Sequence, residues 1–227
     1  MSNKEFFNHK RGSLPSRKHD VRNGNTSSFL IVTEGEQTEP LYFHGIIKFI
    51  STKYGSNIDV KCPKITVQGK GKSSVRLVEE TLAILARSHQ IYQYCWVVFD
   101  KDDNRDFDEA ILLAKKNRIN VAWSNQSFEY WLCLHFGYDS SSRMRNEWEK
   151  KLDTYFRKSG LSAEGYKKNS EEISTLPTLP GFLKTAIDNA EKIEKLYPSS
   201  IPASKRDPCT TVHHLIQSFS PYLTELL

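Results

Sequence analysis

Three carboxylates follow directly after a short apolar run in the sequence W-V-V-F-D-K-D-D-N, residues 96–104. Such a run, ending abruptly in polar residues, predicts a buried parallel strand, and open α/β sheets bind ligands just beyond the carboxyl ends of these strands. If the strand continues to Asp102, its alternation directs the side chains of Asp100 and Asp102 to the same side. Two converging carboxylates suit Mg²⁺ or Mn²⁺, which prefer hard oxygen ligands. The alternative is a solvated acidic turn, Asp103 included, that caps the next helix.

A second set of acids follows the apolar run Phe29–Thr33, which predicts the first strand. Glu34 lies at the predicted strand-to-helix turn, where a further acid could reach the same site. Thr38 is the expected cap of the following helix. Glu36 and Glu39 could instead complement the dipole of that helix, an interpretation that suits Glu39 better than Glu34.

A third candidate acid follows the predicted short strand 119–123. Glu129 lies in the first turn of the next predicted helix, near the carboxyl end of that strand. It could be a further metal ligand or a base, or it could only complement the helix dipole. His135, on the apolar face of the same helix, is more simply a hydrogen-bonded core histidine than a ligand.

Strand and helix patterns alternate four times between residues 29 and 140, which predicts an α/β fold with a mostly parallel, Rossmann-like sheet covered by helices. In such a sheet the three groups of acids share one rim. Three regions are expected: a flexible basic tail (1–28), the α/β core (29–140) and a C-terminal helical extension that packs on the core (141–227).

Basic residues are candidates for holding a nucleic-acid backbone. The tail, residues 1–28, carries six Lys or Arg against two acids, so it could bind phosphates or only aid solubility. Lys70 and Lys72 lie in a Gly-Lys-Ser segment that lacks the first glycine of a Walker A loop and reads as a phosphate-binding loop or a plain turn. Lys168 could approach the acids or lie in a solvated loop. The pair His213–His214 has no Cys or acidic neighbour at zinc spacing, so no metal site is predicted there.

Composition limits the class of protein. The net charge of +5 permits an anionic partner without requiring one. The four cysteines are widely spaced, which favours reduced, mostly buried thiols and a cytoplasmic location. No apolar stretch approaches the length of a membrane span, and the N-terminus lacks the apolar region of a secretory signal. The sequence leaves the oligomeric state open, a homo-oligomer included.

Four motifs together resemble the RloB family over most of residues 28–220: V-T-E-G-E-x-T-E-P, V-F-D-K-D-D, S-N-x-x-F-E-x-W-L-x-L-H-F and the late D-P-C-T-T-V-H-x-L. The resemblance implies a Toprim-like fold from bacterial abortive-infection and restriction loci. It implies that Glu34, Asp100 and Asp102 bind Mg²⁺ for phosphodiester chemistry and that Asp103 is an extra acid. Asn125 and Glu129 match the family's third motif. An AAA-type ATPase is the implied partner.

The leading hypothesis is therefore a metal-dependent Toprim-type nuclease that cleaves RNA, tRNA included, or DNA in anti-phage defence. In it, Glu34 completes the metal shell or acts as general base, and Lys70, Lys72, Lys168 and Asn125 contact nucleic acid. The second hypothesis is a catalytically silent module that binds nucleic acid or recognises a trigger and works through the ATPase. A haloacid-dehalogenase-type phosphotransferase fits poorly, because its D-x-D lies on an early strand.

Overall fold

The structure is a computed structural model that describes residues 27–55, 58–62 and 73–227. Four strand–helix pairs come first along the chain, in the predicted order. They are β1 (Ser27–Thr33), α1 (Thr38–Tyr54), β2 (Ile58–Lys61), α2 (Ser74–Arg87), β3 (Tyr94–Asp100), α3 (Phe107–Lys116), β4 (Asn120–Asn125) and α4 (Phe128–Leu134). The rest of the chain contains α5 (Arg145–Lys158), α6 (Glu172–Thr175), α7 (Phe182–Glu194), β5 (Cys209–Thr210) and α8 (Val212–Ser218), with short 3₁₀ turns at Leu176–Thr178, Ala203–Lys205 and Ser220–Tyr222.

The five strands form one sheet in the order β2-β1-β3-β4-β5. The first four are parallel, and β5 pairs antiparallel with β4. This confirms the predicted α/β fold with a mostly parallel sheet flanked by helices. The edge position of β2 also matches its sequence, because Pro63 follows it and proline cannot donate to a ladder. The predicted continuation of that strand to Val67 lies outside the described residues.

The central strands are apolar without alternation because helices cover the sheet. Residues 29–32 of β1 and 97–99 of β3 are almost fully buried. Helix α3 contacts the sheet through Phe107, whose ring lies 5.4 Å from that of Phe99 and 5.6 Å from that of Trp123. Helices α1 and α4 meet through Tyr42, which packs edge-on against Phe128. These contacts hold the strand ends, and the acids that follow them, in fixed positions.

The segment predicted as a helical extension contributes to the sheet as well as packing on the core. Tyr130 of α4 contacts Trp148 of α5 at 4.7 Å between rings, and Asn189 of α7 donates to the Leu134 carbonyl at 2.9 Å. Strand β5 was not predicted, because a strand of two residues has no readable alternation. It pairs Thr210 with Ser124 and Cys209 with Asn125.

The four cysteines are free thiols, as expected, with Cys95, Cys133 and Cys209 buried. Burial raises the pKa of Cys95 and of Cys209 to about 12, which keeps these thiols protonated and unreactive. Within the described part of the chain, none of the helices combines the length and apolar character of a membrane span.

Candidate metal and phosphate site

Asp100 and Asp102 converge on one side chain, although not for the reason that the sequence suggested. Strand β3 ends at Asp100, and Asp102 lies in the following turn with a positive φ of 35°. The turn is held by hydrogen bonds from Lys101 N to Ser124 O and from Asp102 N to Gln126 O, at 2.9 and 3.0 Å. The carboxylates therefore meet because of the turn, and the predicted strand alternation to Asp102 was wrong.

Arg145 is the side chain on which they meet. Its Nη2 donates to Asp100 Oδ2 at 3.0 Å, and its Nη1 donates to Asp102 Oδ2 at 2.6 Å. Sequence reasoning missed this residue, which is the first of α5 and far from the acids along the chain. One signal was available: an arginine in a first helical turn is disfavoured by the helix dipole, so it suggests a nearby acidic partner.

Glu34 lies beside the same two elements, at the end of β1. Its backbone N–H donates to Val98 O at 2.8 Å, and its carboxylate accepts from Asp100 N at 3.3 Å. The buried amide of Asn104 donates to Glu34 Oε1 at 3.3 Å and to the Asp100 carbonyl at 3.1 Å. Asn104, which was not predicted as a site residue, thus holds the first acid against the carboxyl end of β3.

Glu39 is buried among the other acids, beyond the dipole role expected for it. It is the second residue of α1, and its carboxylate lies against Gly35, where any side chain would collide with it. Burial is the main cause that raises the Glu39 pKa to about 7, and the nearby charges of Glu129 and Glu34 add to it. Thr38 does not cap the helix. It is the first residue of α1 after Gln37, and its hydroxyl donates to Lys168 O at 3.1 Å.

Glu129 completes the group from the first turn of α4. Its Oε1 accepts from the Tyr166 hydroxyl at 3.0 Å and lies 3.9 Å from Lys168 Nζ. Its Oε2 is buried and, among the described residues, has no hydrogen-bond partner; the nearest cationic atom is Arg145 Nε at 4.0 Å. Lys168 also pairs with Glu149 at 2.8 Å. A buried carboxylate oxygen without a donor is suited to a cation.

These side chains surround a cavity of about 270 Å³ that opens to solvent. Its lining consists of residues 35–39 with Asp100, Phe128, Glu129, Arg145 and Lys168. The volume suits a phosphate group with a metal ion and waters better than a large organic ligand.

Negative charge exceeds positive charge at this site. Five carboxylates converge there (Glu34, Glu39, Asp100, Asp102 and Glu129) with two cations, Arg145 and Lys168. Burial, followed by the charges of Glu39 and Glu129, raises the pKa of Asp100 well above its ordinary value. The oxygen-only donor set, the excess charge and the unpartnered Glu129 oxygen fit Mg²⁺ or Mn²⁺, with Glu34, Asp100 and Asp102 as the residues that would hold the ion.

A family model described as RloB-like protein matches residues 29–219 of the chain. The chain belongs to the RloB-like protein family. Neither the comparison with curated proteins nor the comparison with solved structures gave a match.

The remaining predicted residues of this RloB-like protein lie in different places. Asp103 is exposed and does not share in the ion pairs of its neighbours, whereas Glu36 is exposed at the mouth of the cavity. The side-chain amide of Asn125 donates to the carbonyls of Ser204 and Arg206, at 3.3 and 3.0 Å, so its N–H groups already hold the segment before β5. Lys70, Lys72 and tail residues 1–26 lie outside the described residues.

His135 of the RloB-like chain is a core residue, as expected. It bonds the Tyr42 hydroxyl through Nε2 at 3.0 Å and the Trp131 carbonyl through Nδ1 at 3.1 Å. Burial lowers its pKa to about 3, so the ring is neutral at ordinary pH.

Proposed function

We propose that this RloB-like protein is a divalent-metal-dependent nuclease of Toprim type that hydrolyses phosphodiester bonds of RNA, tRNA included, or of DNA. One observation carries the proposal: five carboxylates from three strand–helix junctions face one open cavity with only two cations. Uncompensated charge of this kind is costly to the fold, and it occurs where a protein keeps a site ready for a cation and an anionic substrate.

The roles of the acids follow from their positions. Asp100 and Asp102, with Glu34, would hold one or two Mg²⁺ or Mn²⁺ ions, which supply Lewis-acid stabilisation to the phosphoryl oxygens. Glu34 is also a candidate general base, because it lies at the mouth of the same turn and could accept a proton from water. Asn104 fixes the Glu34 carboxylate, so we assign it a positioning role.

The cations of the site suit the substrate's charge. Arg145 and Lys168 line the cavity beside the acids. Their donors could bind the non-bridging oxygens of a phosphate: Arg145 through its planar fork and Lys168 as a point charge. Lys70, Lys72 and the basic tail would add contacts that are sequence-independent and weakened by salt.

The defence role rests on the family resemblance. We propose that the protein is the effector of a bacterial anti-phage abortive-infection system and works with an AAA-type ATPase. A cleaving effector has to be restrained in uninfected cells. Expression of the protein without its partner should therefore be tolerated, and strong killing by the wild type alone would count against this part of the proposal.

A second candidate function is a catalytically silent module that binds nucleic acid or a trigger and acts through the ATPase. The pairing of Arg145 with both Asp100 and Asp102 favours it, because one guanidinium already occupies the two carboxylates that a metal would need. Under this reading the acids are structural partners of Arg145 and not ligands.

A cleavage assay separates the two candidates. Wild type, Asp100→Asn and the matched control Asp188→Asn, an exposed acid on α7, are incubated with total tRNA and with plasmid DNA. Each reaction is run with Mg²⁺, with Mn²⁺ and with EDTA, and with and without the ATPase. The nuclease predicts metal-dependent cutting by wild type and control but not by Asp100→Asn.

The silent module predicts no cutting by any folded variant, together with nucleic-acid binding and phage protection that survive in Asp100→Asn. Cutting that persists in EDTA or in Asp100→Asn would reject the proposed use of the acids.

A further inference from the structure

A second group of ligand-type side chains lies at the junction of α7 and α8, away from the acid cluster. Glu194 is the last residue of α7, and His213 and His214 open α8. One potential ligand atom from each of the three residues lies within 4.8 Å of the others. Spacing along the chain gave no metal prediction for the histidines, because their acidic neighbour comes from another helix.

The geometry of the group is close to that of a metal site. Glu194 Oε2 lies 3.1 Å from His213 Nε2 and 3.0 Å from His214 Nε2, and the two imidazole centroids are 4.0 Å apart. Ligand atoms of a tetrahedral zinc ion are separated by roughly 3.3 Å, given bonds of about 2.0–2.1 Å. The carboxylate and the imidazole nitrogens therefore need only small shifts to bind one ion.

The surroundings of His213 supply an independent observation. Its side chain is completely buried, and its Nδ1 has no hydrogen-bond partner among the described residues. Glu194 is thus its only side-chain partner there, and no second bond fixes the ring in one tautomer. One imidazole would be enough to neutralise Glu194, whereas two protonated rings at this distance repel each other. A metal ion removes that repulsion because it binds both rings in their neutral form.

We propose that Glu194, His213 and His214 bind a first-row transition-metal ion, with Zn²⁺ the best match to two imidazoles and one carboxylate. Solvent supplies the fourth ligand, because the side chains of Glu194 and His214 are partly exposed, at 30% and 45%. The ion joins the end of α7 to the start of α8, directly after β5 at the sheet edge. This site does not depend on the proposed nuclease activity.

The test uses full-length protein that has been stripped of metal and kept in millimolar Mg²⁺ to occupy oxygen-only sites. Zn²⁺ is titrated by calorimetry, Co²⁺ by its visible absorption, and Tm is recorded with and without Zn²⁺. The variants are His214→Gln and Glu194→Gln. The controls are His89→Gln, an exposed histidine before β3, and Asp100→Asn in the acid cluster.

Wild type, His89→Gln and Asp100→Asn should bind Zn²⁺ equally, with a rise in Tm on binding. His214→Gln and Glu194→Gln should fold but lose affinity at least about tenfold to a hundredfold, as expected when a ligand is removed. Unchanged affinity in both variants, or no binding by folded wild type, would overturn the proposal. Loss of binding in Asp100→Asn alone would place the ion in the acid cluster and would also overturn it.

Discussion

Two buried groups of carboxylates in this protein are built in opposite ways. At the join between α4 and α5, Asp139 alone accepts from Ser141 N at 2.8 Å and pairs with both Lys151 and Arg143. Burial opposes its charge, but the hydrogen bonds from Lys151 and Ser141 outweigh burial and lower its pKa to about 2. In the acid cluster the balance is reversed, and the pKa of Glu39 rises to about 7.

The contrast separates structural carboxylates from functional ones. One carboxylate with two cations satisfies itself and stabilises the fold. Five carboxylates with two cations leave negative charge that folding must tolerate, and this is expected only where a ligand later compensates it. The acid cluster should therefore govern activity at a cost in stability, and the Asp139 group should govern stability alone.

The largest expected effect is loss of cleavage in Asp100→Asn. Removal of one oxygen ligand should lower the metal-dependent cleavage rate by at least about a hundredfold. The free energy of unfolding in EDTA should stay equal or rise, because a crowded buried charge is removed. A fall in stability comparable to the activity loss would instead make Asp100 a structural partner of Arg145, with Asp188→Asn as the control in both measurements.

Asp139→Asn should show the reverse pattern. The variant should unfold about 1–3 kcal/mol more easily at pH 7, because Lys151 and Arg143 lose a buried charged partner. Cleavage per folded molecule should change little. Since the folded-state pKa is lowered to about 2 from 3.8, the difference from wild type should be present above pH 4 and disappear as the pH falls towards 2. A pH-independent difference in chemical denaturation would contradict the electrostatic explanation.

Glu39→Gln should change how stability depends on pH. The folded-state pKa of Glu39 is raised to about 7 from 4.5, so the folded protein binds the proton more tightly than the unfolded chain does. Its contribution is present below pH 4.5 and is lost as the pH rises to 7 and beyond. In EDTA, wild type should lose on the order of 1–3 kcal/mol relative to Glu39→Gln between pH 4.5 and 8. Parallel pH profiles for the two proteins would show that Glu39 is compensated after all.

Lys168→Ala should have the smallest effect. Its ammonium group is about half exposed, so its removal should weaken nucleic-acid binding only a few-fold and reduce the salt dependence by about one charge. Lys150→Ala, an exposed lysine of α5, is the matched control. Equal effects of the two substitutions in binding assays at several salt concentrations would remove Lys168 from the proposed phosphate contacts.

Much of the acid cluster could be predicted from the sequence because parallel strands place their carboxyl ends at one rim. The apolar runs that became β1, β3 and β4 located Glu34, Asp100 and Glu129 before any coordinates were considered. The prediction was weaker for Glu39, since a first-turn acid has a sufficient local explanation in the helix dipole. Its burial depends on α4 and α5, which pack over the end of α1.

The sequence by itself determined the α/β order, the family and the rim at which the acids gather, since these depend on local periodicity and on motifs of adjacent residues. Only the tertiary structure decided the partners of those acids. Arg145 reaches Asp100 and Asp102 from a helix beyond the sheet, and Glu194 reaches His213 and His214 across two helices. Neither pairing has a characteristic spacing, because the packing of whole helices sets both.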